Sequence, residues 1–289
     1  MVNSIEYLKN LIYKSDIDHQ KIDSVLEVVD MNDHMISVNE QNVIEQILDA
    51  FYTTRKLIPL DLNFKTKLNK LKDVNLQLML TNRPMIKSMM ANFLIQPIKR
   101  VIHFAQHIDD FTKLDLDDQL SLIREGSLEI SICSASLLYD CMSNQFFNRV
   151  NKKTDIIDDN NNQPFISLDQ ISSLWGKELF DKTIIYLKSM NQLGLDETGR
   201  ILYLMLILFS PDRRGLRNTN HITQLQNKYA FLFKKYILSK HGEEKSKILY
   251  NELMEKLNEL QSLQDMHKSF LADCDRNQLD QILQAILIN

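Results

Sequence analysis

Glycine and proline are scarce in this chain of 289 residues: there are six glycines and five prolines, where average usage of the two together is about 12% of positions. No glycine precedes Gly126. A β-sandwich, a barrel or a dinucleotide-binding sheet needs φ > 0 turns every few residues, and this supply could hardly build one. Cysteine is sparse too. Cys133, Cys141 and Cys274 are an odd number without metal-type spacing, which excludes a zinc module built from them and favours a reducing intracellular compartment over a disulfide framework. Neither sign of charge dominates: 34 basic and 38 acidic residues leave a net charge of -4, so the global basic field of a protein that wraps nucleic acid unaided is missing. The N-terminus lacks the charged stretch and apolar core of a secretory signal. The longest apolar run, Ile201 to Phe209, falls far short of the ~20 residues that span a bilayer.

What is present points to helices. Hydrophobic residues at 44% and charged residues at 25% are ordinary for a globular chain with a sizeable core. The length allows two domains at ~150 residues each, or one large helical domain. A helix that is apolar on every side over Ile201–Phe209 belongs between two layers of a helical protein. Residues 1–38 are polar and uneven, with weak periodicity at Ile5, Leu8, Leu11 and Ile12, and read as a mobile, hinge-like leader. From Asn39 onward Val43, Ile44, Ile47, Leu48 and Phe51 share one helical face, with Ser37 and Asn39 as candidate N-caps. Residues between Pro59 and Pro84 are ambiguous.

Met85 to His107 reads as a long helix kinked by Pro97. Asp115 to Tyr139 reads as nearly continuous helix, opened by Asp115 with Asp117 and Asp118 at the positive end of the dipole. Asp158 to Pro164 is a solvated loop that short strands at Phe146–Val150 and Phe165–Ser167 could flank as a hairpin. Helices resume over Leu168–Lys177, Glu178–Gln192 and Asp196–Phe209. Amphipathic patterns then run from Ile222 to Ile237, Leu249 to Phe270 and Leu279 to Leu287.

Specific residues carry more than periodicity does. Phe104-Ala105-Gln106, then Phe111, Leu114, Asp118-Gln119 and Leu122-Ile123-Arg124, follow the order and spacing of the F-A-K…F…L…D-Q…L-L-K signature of nuclear receptor ligand-binding domains. Glu40 to Ala50 resembles the first helix of the vitamin D receptor group. Ser210-Pro211-Asp212-Arg213-Arg214-Gly215-Leu216 is similar to the S-x-D-R-x-G-L link before the dimerisation helix, and Leu260 to His267 to the L-R-x-L-x-x-x-H segment of the eleventh helix. The resemblance is to a divergent, vitamin D receptor-like (subfamily 1) ligand-binding domain over residues 39–289.

The resemblance implies an all-α fold, a three-layer antiparallel sandwich of about a dozen helices with a small β-hairpin, and a non-enzymatic, ligand-regulated transcription factor in the nucleus. Its pocket would be lined by Met90, Phe93, Leu94 and Pro97 on one helix, by Ile130, Ser131, Ser134 and Leu138 on another, and by His267, and would hold a small lipophilic ligand of steroid, sterol or fatty-acid type. Co-activator or co-repressor helices would lie in a groove formed by Gln106, Arg124, Ile282, Leu283, Ala285 and Ile286. There Gln106 replaces the family's Lys and Ala285 its Glu, which weakens the case for ordinary co-activator recruitment and favours repression or a partner with altered ends. Glu129 and Arg213 would form the ion pair of receptors that heterodimerise with a retinoid X receptor-like partner, and Leu225, Tyr229, Leu232 and Tyr236 would supply the interface.

Other signals point elsewhere less strongly. His103 and His107 have the i, i+4 spacing of a zinc pair but lack the intervening Glu of H-E-x-x-H. No cofactor is implied beyond the option of haem on His267. Residues 1–38 contain none of the eight cysteines of a receptor's DNA-binding zinc module, so DNA contact would go through a module absent from these residues. The alternative reading is a ligand-independent helical dimerisation or repressor module without a DNA-binding domain.

Overall fold

The computed structural model describes residues 2–13, 35–59, 87–88, 91–146, 172 and 175–287. Among them are ten α-helices: α1 Val2–Tyr13, α2 Val38–Leu57, α3 Ile95–Gln106, α4 Asp109–Thr112, α5 Leu116–Ala135, α6 Lys177–Gln192, α7 Glu197–Leu208, α8 Thr219–His241, α9 Glu243–Ala272 and α10 Gln281–Ile286. One two-stranded antiparallel sheet joins β1 Tyr139–Asp140 to β2 Gln145–Phe146.

The helices stack in three layers, as the sequence implies. α5 lies against α3 on one side and against α6 and α9 on the other, while α7 lies between α2 and α8 and packs along α5. The middle layer is therefore α5 and α7, flanked by α2 with α3 and by α6, α8 and α9. Every residue from Ile201 to Phe209 is buried, because α7 has a helical neighbour on each side and no face left for water. Its Tyr203 hydroxyl donates to the Leu253 carbonyl at 2.7 Å and so ties the middle layer to α9.

Local chemistry explains several boundaries. Ser37, of the two candidate caps, starts α2: its hydroxyl accepts from the Glu40 amide while the Glu40 carboxylate accepts from the Ser37 amide at 2.7 Å, a capping box. Glu40 is buried and also meets the Lys235 ammonium of α8 at 3.0 Å. The Asp115 side chain makes no cap bond to α5; instead Asp118, buried in the first turn, accepts from the amides of Arg217 (2.6 Å) and Asn218 (3.3 Å) and fixes the start of α8.

Pro97 lies within the helical run expected for it, in the first turn of α3, and helical residues from Ala91 through the turn Asn92–Leu94 lead directly into that helix. The turn before it, Asn92–Leu94, tightens to a 3-10 helix with the Ile95 amide bonded to Asn92, the local distortion a proline brings to a helix.

A hairpin not foreseen in the sequence lies ahead of the expected one, whose strands fall, apart from Phe146, outside the described residues. α5 ends at Ala135 rather than Tyr139, and Tyr139 pairs with Phe146 across a four-residue turn, with ring centroids 5.1 Å apart. The Asp140 carboxylate accepts from the Met142 and Ser143 amides, and Asn144 takes the left-handed conformation (φ 54), so the turn is locally satisfied. Phe165–Ser167, Asp158–Pro164 and the Pro59–Pro84 stretch lie outside the described residues. The leader is not free of the domain over its first 13 residues: α1 is a helix whose Leu8 and Ile12 are buried, and it packs against α3, α5 and α10.

Candidate functional site

Two regions gather the residues singled out in the sequence. The first is the interior between α5 and α9, which pack directly on each other. α5 is unusual for a middle-layer helix in carrying buried serines at 121, 127, 131 and, just past its end, 136. The hydroxyls of Ser127, Ser131 and Ser136 have no hydrogen-bond partner among the described residues. On α9, His267 is buried, and its Nδ1–H donates to the Leu263 carbonyl at 2.8 Å. That bond fixes the tautomer: Nε2 carries the lone pair, and it too is unpartnered among the described residues. Burial pushes the imidazole pKa down, only partly offset by the Leu263 carbonyl, so the ring is neutral at physiological pH. The Trp175 ring meets His267 edge-on at 5.3 Å and Phe270 at 6.5 Å, and its Nε1–H is also without a partner among the described residues. Buried polar atoms are nearly always paired, and each of these lacks a partner among the described residues.

The remaining pocket candidates divide. Leu94 and Ile130 are buried, while Phe93, Pro97 and Leu138 are half-buried. Ser134 turns its hydroxyl back to the Ser131 carbonyl at 3.0 Å, which leaves Ser131 as the serine of that pair with a free hydroxyl. Met90 lies outside the described residues.

The second region is where α1 packs against α3, α5 and α10. Ile282, Leu283, Ala285 and Ile286 of α10 are all fully buried. Gln106, at the end of α3, donates its side-chain amide to the carbonyls of Leu11 (2.6 Å) and Ile12 (2.7 Å) in α1. At the other end of α1, the Ser4 hydroxyl donates to Gln284 Oε1 at 3.2 Å. Arg124, expected at the co-regulator groove, has its guanidinium beside Glu125, with Nε 3.3 Å from Oε1, and close against Gly215, so its charge is engaged there. Nor does Ala285 leave that end of the groove without a polar group, since its neighbour Gln284 supplies one.

Between α5 and the link before α8, Arg213 makes a bidentate pair with Glu129 (2.8 and 2.5 Å) and adds a bond to the Ile207 carbonyl at 3.2 Å. The 210–216 link is thereby fixed to both middle-layer helices. A sequence model described as the ligand-binding domain of nuclear hormone receptor matches residues 77–275. The chain belongs to that family. Among curated relatives it is 26% identical over 195 residues to the vitamin D3 receptor of Gallus gallus, covering 65% of this chain and 39% of that one. It is 24% identical over 184 residues to the Xenopus laevis vitamin D3 receptor, covering 61% and 40%. It is 26% identical over 174 residues to nuclear receptor subfamily 1 group D member 2 of Rattus norvegicus, covering 60% and 28%. The chain thus spans about two-fifths, or less, of the length of these relatives.

As a nuclear receptor ligand-binding domain, this chain departs from its sequence reading at one surface. Leu225, Tyr229, Leu232 and Tyr236 were expected at a dimer interface, but all four are buried against the chain's own core. Tyr229 stacks on Phe209 at 5.1 Å and gives its hydroxyl to Asp110; Tyr236 gives its hydroxyl to Asp196 at 2.6 Å. The amphipathic stripe of α8 therefore serves the middle layer, and Gln224, Asn227 and Lys234 face outward. The His103–His107 pair is structural as well: His103 shares a 2.8 Å bond with Thr54 of α2, and His107 Nδ1–H donates to the His103 carbonyl. No group of three or more metal-binding side chains occurs among the described residues, and no helix there is long and apolar enough to cross a membrane.

Two features escaped sequence reading. The buried Glu40–Lys235 pair joins residues almost two hundred positions apart, and no local pattern announces it. The docking of α1 did have a signal, the i, i+3, i+4 spacing of Leu8, Leu11 and Ile12, but in a polar leader it read as noise.

Proposed function

We propose that this domain is a ligand-regulated, non-enzymatic switch of a nuclear transcription factor, and that its ligand is a small lipophilic alcohol of sterol or steroid type. The observation that carries this reading is His267 with Ser131: two buried polar side chains on facing helices, each with an atom lacking a partner among the described residues. A neutral imidazole presenting Nε2 accepts a hydrogen bond, so it suits a hydroxyl donor better than a carboxylate, which would bring a second acceptor and a buried charge. The apolar side chains of Leu94 and Ile130 would cover the hydrocarbon. Ligand occupancy would in turn bias which co-regulator helix binds, and a retinoid X receptor-like partner would pair with the domain in the nucleus. DNA would be read by a zinc module outside these residues.

Native mass spectrometry of the purified chain and thermal shift against hydroxylated sterols test this. A hydroxysterol at 100 times its Kd should stabilise by about 2.7 kcal/mol, and the matching 3-ketone or deoxy compound should do so much less. Ser131→Ala should leave the ligand-free protein equally or more stable, since it deletes an unpartnered hydroxyl, while His267→Phe should abolish the sterol shift.

A second reading, a ligand-independent dimerisation or repressor module, is favoured by the neutral groove ends at Gln106 and Ala285. It takes over if no lipophilic compound co-purifies or stabilises while a receptor partner still binds.

A further inference from the structure

α1 packs against α3, α5 and α10, the helices that carry the residues expected to form the co-regulator groove. α1 presents Leu8, Leu11 and Ile12, the i, i+3, i+4 apolar anchors by which an amphipathic helix lies in a hydrophobic groove. Leu8 and Ile12 are buried, Tyr7 and Leu11 pack on the core, and Glu6, Asn10 and Tyr13 face solvent. α10 shows the same contact from the other side. Its buried residues Ile282, Leu283, Ala285 and Ile286 span an arc of about 160° at 100° per residue, wider than a helix needs to face one neighbour; its neighbours are α5 and α1.

Polar groups close both ends. The carbonyls of Leu11 and Ile12 belong to the last turn of α1 and have no partner within the helix. Gln106 takes both, at 2.6 and 2.7 Å, while Ser4 and Gln284 pair at the opposite end. Glutamine at 106 and alanine at 285 therefore do not leave a defective groove. They make a neutral one, fitted to a neutral-ended helix joined to it by the 24 residues that separate Tyr13 from Val38. Because α1 belongs to the same chain its docking is intramolecular, so contacts that hold a free peptide only weakly suffice.

We propose that α1 is a built-in occupant of the co-regulator groove and gates it: a partner helix enters only when residues 2–13 leave. The proposal rests on the groove of the preceding reading but not on any ligand. In hydrogen-exchange mass spectrometry of the full chain, without ligand, the amides of Leu8–Ile12 should exchange at least a hundredfold more slowly than in the free peptide. Gln106→Ala should speed exchange in α1 while leaving α7 unchanged.

A fluorescein-labelled peptide of residues 2–13 serves as the probe of the groove. It should bind the full-length Leu8→Asp variant at least tenfold more tightly than wild type, because that change ejects the resident helix and exposes its seat. Unprotected α1 amides in the wild type, or equal probe binding by wild type and a folded Leu8→Asp variant, would overturn the proposal. Sterol-induced thermal shifts report on the ligand reading separately, since α1 protection is measured in ligand-free protein.

Discussion

Arg213 grips Glu129 with two nearly parallel hydrogen bonds of 2.8 and 2.5 Å, both side chains largely withdrawn from water. The pair holds the link before α8 against the middle of α5, and its geometry is the fork-on-carboxylate arrangement that makes guanidinium groups irreplaceable by lysine at such sites. Arg213→Ala strands a buried carboxylate and should destabilise the domain by about 3–5 kcal/mol. Arg213→Lys should recover only part of this, because an ammonium cannot supply the second parallel bond. Urea unfolding of the three proteins checks the order.

Glu40 and Lys235 form a second buried pair, linking the start of α2 to α8 at 3.0 Å. Removing either partner alone should cost about 3–5 kcal/mol, while replacing both with apolar residues of similar size should be far milder than the sum. Glu40→Met, Lys235→Met and the double variant form a thermodynamic cycle. Additive losses would show that the two charges do not stabilise each other.

Burial lowers the pKa of His267, and burial with His107 nearby lowers that of His103. The unfolded chain therefore takes up protons near the ordinary histidine pKa of about 6.5 while the folded protein does not. Stability should be fully present above that pH and decline as pH falls below it. His267→Gln should flatten the decline between pH 7.5 and 5.5 whatever it does to absolute stability. A slope identical to wild type in that window would mean that His267 titrates normally.

Gly215 adopts φ 84, and a Cβ there would stand 3.0 Å from the Ser121 hydroxyl oxygen and 3.3 Å from Arg124. Gly215→Ala should cost about 1–2 kcal/mol through its left-handed backbone alone, with the crowding added. Because the link also carries Arg213, the variant should weaken the same contacts as Arg213→Ala, so the double variant should lose less than the two singles together. Tm measurements on the set decide this.

Much of the molecule was legible in the residues. Scarce glycine and an all-apolar nine-residue run imply a layered helical fold, and the Phe104–Arg124 signature marks the family. Glu129 and Arg213 could be paired from the resemblance, and they do pair. The site was only half legible. A sequence shows that Ser131 and Ser134 recur on one helix, but whether a hydroxyl bonds back to its own backbone, as Ser134 does, depends on side-chain rotamer and neighbours. The stripe Leu225, Tyr229, Leu232 and Tyr236 was equally plain as a pattern; which body it buries against was not, since an apolar face fits a partner's surface and the chain's own core alike.

The sequence by itself determined that this chain is helical, that one helix lies wholly inside, and which family signature it carries, because composition and spacing act locally and are written in order along the chain. Only the tertiary structure decided which polar atoms end up buried without partners, where Lys235 finds its carboxylate, and that a leader helix of weak periodicity packs against α10. Those outcomes depend on distances between residues far apart in the chain. Packing brings Gln106 to Ile12, and no interval counted along the sequence contains that contact.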